Sequence, residues 1–198
     1  MIDRVWDWVV RAGAIKPGHR RARRFAAFGV DTVICFPYVA LFGERYIRLG
    51  RGSVIGPYSS LSAGVGPGQV LDVETVIAIG DRCVIGRGSS IVAHNHVEIG
   101  NDVWTGPNVY VSDANHGYED RDVPPGKQFA ATRPVRIGDR AWLGTGVLVM
   151  PGATIGRHVV VGGGSVVTGD LPDYSVAVGN PARVVRRYVD GEGWVPVD

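Results

Sequence analysis

The sequence predicts an all-β fold, a parallel β-helix in which the chain winds as a triangular solenoid around one apolar core. Three observations predict it. Aliphatic residues recur every six positions over most of the chain. Glycine accounts for 29 of 198 residues, about twice its usual share of ~7%, which indicates many tight turns between short strands. The apolar fraction of 45% and charged fraction of 20% are those of an ordinary globular protein.

The six-residue repeat is clearest in the C-terminal half. Read in sixes from Ile137, successive blocks open with Ile, Leu or Val: IGDRAW, LGTGVL, VMPGAT, IGRHVV, VGGGSV and VTGDLP. Three blocks make one coil, and the same phase returns upstream at Ile99, Ile79 and Leu49, after insertions. A single block cannot bury its apolar side, so the coils must stack at ~4.8 Å. A β-sandwich would instead show period-two alternation between its turns.

The repeat divides the chain into three predicted regions. Residues 1–30 lack it, and the helical spacing of Trp6, Val9, Val10 and Ala14 predicts a helical cap over the open end of the solenoid. Residues 31–181 form the predicted β-helix of about five to six coils, with a protruding loop at 117–134. Residues 182–198 are expected to form a short helix and a tail.

A basic run follows the predicted N-terminal helix and has two interpretations. It contains Lys16, His19, Arg20, Arg21, Arg23 and Arg24. These side chains are either solvated charges on the cap or a surface that makes weak contact with anionic lipid or with a polyanionic acceptor. Over the whole chain the formal net charge is only +2, which gives no reason to expect a nucleic-acid partner.

The cysteines and the hydropathy pattern predict a cytoplasmic protein, at most peripheral to the inner face of the membrane. Cys35 and Cys83 are too few for a disulfide framework and are expected as reduced, buried thiols. No apolar run is long enough to span a bilayer. The first fifteen residues mix Asp and Arg with their apolar residues, unlike a signal peptide.

Four stretches carry a family resemblance. They are Asp113–Gly117 (DANHG), Ile137–Gly144 (IGDRAWLG), Gly162–Pro172 (GGGSVVTGDLP) and Val178–Arg186 (VGNPARVVR). In order and spacing they resemble the hexapeptide-repeat acyltransferases, above all the branch with the galactoside and maltose O-acetyltransferases and polysaccharide-modifying enzymes. The resemblance implies a left-handed β-helix, an exception to the right-handed crossover rule. It also implies a homotrimer with acyl-CoA bound in the groove between two prisms.

By the same resemblance, His116 is the catalytic general base. It stands just before the protruding loop, and long loops on rigid scaffolds often carry function. An imidazole, with a reference pKa of ~6.5, can accept the hydroxyl proton as the oxygen attacks the thioester. The second ring nitrogen needs an acceptor, for which a backbone carbonyl, Asp113 and Glu119 remain alternatives.

The resemblance also implies a CoA site. Trp142 and Thr145 match positions beside the thioester, where Thr145 could donate to the oxyanion. The remaining CoA-binding positions are Gly163 and Thr168 for the pantetheine amides and Arg183 and Arg186 for the phosphates. One departure is Gly169, where relatives often carry lysine; Arg187 could supply that contact.

The acceptor is the least determined part of the site. His94, Asn115 and Glu119 are the candidate acceptor-binding residues, and His94 and His96 alternate on one strand and share a face. The residue types differ from those of sugar sites in related enzymes. These residues therefore do not identify the acceptor. Because the chain resembles the O-acetyltransferase branch, O-acetylation of a sugar or glycan is the first hypothesis, and N-acetylation of an amino sugar or amine is the alternative.

Two remote alternatives share the predicted fold. A γ-carbonic-anhydrase-like enzyme needs three histidines around zinc, with a second histidine soon after the first. Here the next histidine after His116 is His158, more than two coils later, so no metal is predicted. The other alternative is a non-catalytic scaffold, against which His116 and Trp142 argue.

Overall fold

A computed structural model describes residues 2–197 and forms a prism of three sheets built from short, mostly parallel strands, numbered here in chain order. The first sheet contains β1 (Ala27–Phe28), β4 (Ile47–Leu49), β7 (Ile77–Ile79), β10 (Val97–Ile99), β13 (Val135–Ile137) and β16 (Thr154–Ile155). The third sheet contains β3 (Ala40–Phe42), β6 (Ser60–Ala63), β9 (Ser90–Ala93), β12 (Tyr110–Ser112), β15 (Leu148–Val149) and β18 (Val166–Val167).

The second sheet is the largest because the end of the chain adds strands to it. It contains β2 (Val33–Ile34), β5 (Val54–Ile55), β8 (Val84–Ile85), β11 (Trp104–Thr105), β14 (Trp142–Leu143), β17 (Val160–Val161), β19 (Ser175–Val178), β20 (Arg183–Val189) and β21 (Gly193–Pro196). The chain visits the three sheets in turn, and each strand pairs in parallel with the strand one coil away, apart from the antiparallel β20 and β21. The predicted parallel β-helix is confirmed.

The six-residue repeat becomes a ladder of stacked side chains inside the prism. Ile79, Ile99, Ile137 and Ile155 are register partners in successive strands of the first sheet, and all are buried. Burying each such side chain contributes ~1.5–3 kcal/mol before the entropy of ordering is counted. Side chains at alternate positions point outward and line the three flat faces.

Glycine is required where successive coils approach at the corners. At the corner between the second and third sheets, a Cβ added to Gly106 would lie 2.6 Å from the backbone nitrogen of Thr145 in the next coil. Real Cβ atoms do not come that close, so the stacking of corners excludes larger residues there. This contact explains the recurring glycine in the second position of the repeat.

The N-terminal end corrects the predicted cap. The helix α1 (Ile2–Gly13) forms as predicted, but none of its residues is buried, so it does not cover the open end. That end is closed by the segment after it, where Ile15, Ala22 and Phe25 join the core. A 3-10 helix (Arg20–Arg24) lies in this segment, and β1 begins before the predicted boundary at residue 31. Two more 3-10 helices lie at Glu44–Tyr46 and Pro125–Lys127.

The predicted C-terminal helix in 182–198 is wrong, because β20 and β21 form an antiparallel hairpin there. The residues explain the outcome: Val184, Val185 and Tyr188 favour strands, and β19 offers a free edge for pairing. The ring of Trp194 stacks on His158 with centroids 6.3 Å apart, which fastens the hairpin to the prism. No helix among residues 2–197 has the length and apolar character needed to cross a membrane.

Candidate active site

His116 lies at the corner between the third and first sheets, directly after β12, where the long loop leaves the prism. Its side chain is exposed. Its Nδ1 is 3.2 Å from the carbonyl oxygen of Gln128, on the returning arm of the loop. A carbonyl oxygen only accepts, so this contact requires a proton on Nδ1 and leaves Nε2 with a free lone pair in the neutral ring. Of the three acceptors left open by the sequence, the structure selects the backbone carbonyl.

The loop is tied to His116 as a short two-stranded arm. His116 pairs with Phe129 in an isolated antiparallel bridge, and Gly117 N donates to the Gln128 carbonyl oxygen at 2.9 Å. The side-chain amide of Gln128 donates to the carbonyl oxygens of Asp120 and Val123 at 2.7 and 2.6 Å. The side chain of Gln128 therefore holds the loop, and its carbonyl oxygen holds the imidazole. The second contact comes from the main chain, so no residue type in the sequence predicted it.

Asp113 has a different role from the one left open for it. Its carboxylate is fully buried and accepts hydrogen bonds from the backbone N–H groups of His94, Asn95 and His96 at 2.8, 2.8 and 2.6 Å. Its own carbonyl oxygen accepts from Arg133 N at 2.9 Å, where the loop rejoins the prism. Asp113 thus fixes the turn in the coil below and the end of the loop, and does not hold the His116 ring.

The predicted acceptor residues gather around the same corner. Asn115 Oδ1 accepts from His116 N at 2.9 Å, and Glu119 Oε2 accepts from Tyr118 N at 2.9 Å. His94 follows β9 on the same corner, one coil below His116. Asn115 and Glu119 are exposed and His94 is half-buried, so solvent reaches all three at this corner.

An aromatic side chain beside His116 was not predicted. The ring of Phe129 is 76% exposed and lies 5.9 Å from the His116 ring. Tyr118, on the outgoing arm of the loop, is also exposed. Exposed aromatic rings at this corner provide apolar surfaces on which a small molecule can stack. The sequence offered only the presence of aromatics in the loop as a signal.

The residues predicted to stand beside the thioester, Trp142 and Thr145, lie at the corner between the second and third sheets. Gly164 N donates to the Thr145 carbonyl oxygen at 2.8 Å, so the Gly163 corner stacks directly on the Thr145 corner. Trp142, 50% exposed, stands on the outer face of the second sheet just before this corner. Its register partner Trp104 is 58% exposed and was not predicted as part of the site. The phase of the repeat was the signal that could have found it, because Trp104 and Trp142 each follow an aligned isoleucine, Ile99 or Ile137, by five residues.

One chain does not bring all predicted site residues together. Thr145 precedes a strand of the third sheet and His116 follows one, so they stand on opposite borders of that sheet. Thr168 follows β18 and therefore lies on the His116 border, two coils further along, apart from Gly163. Within one chain, the predicted site residues are therefore divided between the two borders of the third sheet.

Arg183 and Arg186 lie on β20 rather than on a helix. Neighbouring arginines three apart would point to opposite sides of a regular strand. However, a bulge at Val185 shifts the register, so Arg183 faces Val178 and Arg186 faces Val176. Val176 and Val178 alternate on β19 and share a face, which returns both arginines to one side. Both guanidinium groups are exposed.

Neither cysteine is placed to act as a nucleophile. Burial raises the pKa of the Cys35 and Cys83 thiols above its usual value, which disfavours the reactive thiolate.

Within residues 2–197, no three His, Cys, Asp or Glu side chains are grouped so that they could hold a metal ion. His158 lies at the corner between the first and second sheets, away from the His116 corner.

Comparison with known proteins identifies the family. Residues 134–169 match the bacterial transferase hexapeptide (six repeats), and residues 76–113 match the hexapeptide repeat of succinyl-transferase. A galactoside O-acetyltransferase from Lactococcus lactis is 39% identical over 170 residues, which cover 86% of this chain and 67% of that protein. The chain belongs to the hexapeptide-repeat acetyltransferases. The galactoside O-acetyltransferase of Escherichia coli is 34% identical over 134 residues, which cover 65% of each chain.

Other similar proteins match over different shares of their lengths. The chain spans 44% and 43% of the lengths of proteins named as acetyltransferases from Mycobacterium tuberculosis and Schizosaccharomyces pombe. The maltose O-acetyltransferase of Clostridium difficile superposes with a TM-score of 0.54 at 29% identity, covering 83% of this chain and 71% of that one. AntD, an N-acyltransferase from Bacillus cereus solved with dTDP and 3-hydroxybutyryl-CoA, gives a TM-score of 0.72 at 19% identity over 86% and 87% of the two chains. At that identity the likeness concerns the fold.

Proposed function

We propose that this protein is an acetyl-CoA-dependent O-acetyltransferase that acts on a hydroxyl group of a sugar or glycan. The observation that carries the proposal is the Nδ1 contact of His116 with the Gln128 carbonyl oxygen, which leaves Nε2 ready to accept a proton. The galactoside O-acetyltransferases among its relatives support the sugar acceptor. Acetyl-CoA is an intracellular donor, so the proposed reaction takes place in the cytoplasm.

The proposed reaction is a direct transfer. His116 Nε2 removes the proton from the acceptor hydroxyl while its oxygen attacks the thioester carbonyl carbon. The new C–O bond forms, the negative charge on the carbonyl oxygen is met by a Thr145 donor, and the C–S bond then breaks. The CoA thiolate leaves and takes the proton from the imidazolium. The raised pKa values of both thiols agree with a route that has no covalent enzyme intermediate.

We further propose that the active enzyme is a homotrimer of left-handed prisms. Because His116 and Thr145 lie on opposite borders of the third sheet, a groove between two protomers would let one supply the base and its neighbour the thioester residues. Trp142 and Trp104 expose a large apolar surface beside Thr145, which such a groove would cover. Light scattering of the purified protein tests the assembly, and a monomer with full activity would contradict it.

The CoA phosphates are proposed to bind Arg183 and Arg186, which the bulge at Val185 places on one side of β20. Guanidinium groups fit phosphate oxygens with paired hydrogen bonds. Gly163, stacked on Thr145, would let the pantetheine arm approach the backbone closely. Thr168 would meet the arm from the other border.

Replacing both arginines tests this placement. The double variant Arg183→Ala, Arg186→Ala is expected to raise KM for acetyl-CoA by about 10-fold or more, because two charge-assisted contacts are lost, while kcat changes little. Steady-state kinetics measures both constants. The matched control is Arg48→Ala, Arg140→Ala, which removes the same charge from exposed positions away from the hairpin. An unchanged KM in the first variant would contradict the assignment.

The acceptor is tested by thiol release from acetyl-CoA against a panel of sugars, nucleotide sugars and amines. We expect turnover with a hydroxyl acceptor and a product that mild base hydrolyses, since esters are cleaved where amides survive. The alternative is N-acylation, which the fold neighbour AntD performs and for which it was also solved with dTDP-4-amino-4,6-dideoxyglucose. A base-stable product formed only with amines would replace O-acetylation by that alternative. Absence of thiol release with every acceptor would favour a non-catalytic scaffold.

A further inference from the structure

The helix α1 has an apolar face on which no residue is buried. On a helical projection, Ile2, Val5, Trp6 and Val9 share one side, and Asp3, Asp7 and Arg11 lie on the other. Ile2 is 84% and Val5 56% exposed, and Trp8 is also exposed beside this face. A soluble domain rarely leaves so large an apolar stripe in water unless something docks on it.

The helix is attached to the prism at one end only. A Cβ added to Gly13 would lie 2.7 Å from Cδ2 of Phe36, so the last turn rests on that ring. Two residues on, Ile15 and Ile34 exchange both backbone hydrogen bonds at 2.9 Å. None of the residues of α1 is buried, so its apolar side is accessible to a flat surface.

The charges of the protein are divided unequally along the chain. Residues 2–24 contain seven Lys and Arg but only two acidic residues, whereas residues 25–198 contain fourteen Lys and Arg and seventeen acidic residues. Arg21 is held inward by Glu44 at 2.9 Å, but Lys16, Arg20, Arg23 and Arg24 are exposed. The end of the prism that carries α1 is therefore strongly basic, although the whole chain has a net charge of only +2.

We propose that α1 and the basic segment after it dock the protein on an anionic phospholipid bilayer. Twelve residues give a helix about 18 Å long, too short for a hydrocarbon core of ~30 Å, so α1 lies in the plane of the interface. Its apolar stripe enters the boundary with the acyl chains, and Trp6 and Trp8 suit that depth. The exposed basic side chains meet the lipid phosphates, whose negative charge attracts them to the surface.

Vesicle co-sedimentation of the full chain tests the proposal. The protein is expected to pellet with phosphatidylcholine vesicles that contain about 30 mol% phosphatidylglycerol and to stay in solution with pure phosphatidylcholine. About 0.5 M NaCl should release most of it, because salt screens the basic side chains. Equal binding to both vesicle types, or to neither, would overturn the proposal.

Two variants separate the apolar face from charge alone. Val5→Glu, Trp6→Glu is expected to lower the partition coefficient by about 10-fold or more, since two charges enter the buried side of the helix. The control Val65→Glu, Val70→Glu makes the same charge change at exposed valines of a loop outside α1 and should keep most of the vesicle binding. Equal losses in the two variants would overturn a role for α1.

A second copy of the chain is the competing occupant of the apolar face. If it covered α1, Val5→Glu, Trp6→Glu would change the molecular mass measured by light scattering without vesicles, which would overturn the lipid proposal. Thiol release with soluble acetyl-CoA and acceptor should not change in this variant. Failure of vesicle binding with intact turnover would therefore remove the docking proposal and leave the proposed function standing.

Discussion

Replacing His116 by alanine is expected to lower kcat by about 10²-fold or more, because the acceptor hydroxyl loses the group that removes its proton. The protein should remain folded, since the imidazole is exposed and contributes nothing to the core. KM for acetyl-CoA should change little, because the imidazole is not among the groups proposed to bind CoA. Thiol release under saturating substrates measures the loss.

The control for this change is His19→Ala, which removes an exposed histidine near the N-terminus and should leave turnover intact. Circular dichroism and light scattering of both variants would show that fold and assembly are unchanged. If His116→Ala turned over acetyl-CoA at a near-normal rate, the imidazole would not be the base and the direct-transfer mechanism would be wrong.

Replacing Asp113 by alanine is expected to lower the free energy of unfolding by about 3–5 kcal/mol, a large fraction of the stability of a domain. Three backbone N–H groups, of His94, Asn95 and His96, would lose their only carboxylate acceptor in a buried position. Asp113→Asn should cost less, because the amide retains one accepting oxygen and nearly the same volume. Urea unfolding measures the change.

The control for Asp113 is Asp170→Ala, which removes an exposed carboxylate and should change the free energy of unfolding by no more than ~0.5 kcal/mol. A loss below ~1 kcal/mol in Asp113→Ala would mean that water or a rearranged turn replaces the carboxylate. Asp113→Ala should also reduce turnover, because the turn that carries His94 borders the acceptor space.

The β-helix was predictable because the residues that stabilise it repeat every six positions along the chain. Each coil places an aliphatic residue such as Ile99 or Ile137 over its neighbour, and the six-residue period follows from that stacking alone. The place of His116 at the start of the protruding loop was predictable from the repeat, and its role as the base stays a prediction. The same phase places Trp104 and Trp142 five residues after Ile99 and Ile137, so their pairing in the second sheet also follows from the repeat.

The two ends were harder to predict because their partners are not fixed by the repeat. Residues 182–198 were expected to form a short helix and a tail, yet Arg183–Val189 forms a strand that pairs with the open edge of β19. The apolar stripe of α1 has the right period for a helix, but periodicity does not say what the stripe packs against. The Gln128 carbonyl that holds the His116 ring belongs to the main chain, so no residue type pointed to it.

The closure of the loop between β12 and β13 has a consequence for how such enzymes diversify. Arg133 N meets the carbonyl of Asp113 at 2.9 Å, so the polypeptide re-enters the stack almost where it left. The loop between Asp113 and Arg133 can therefore change in length and in side chains while the stacked aliphatic residues of the core keep their positions. Sequence changes in this loop are thus expected to alter the surface beside His116 with little effect on the free energy of unfolding of the β-helix.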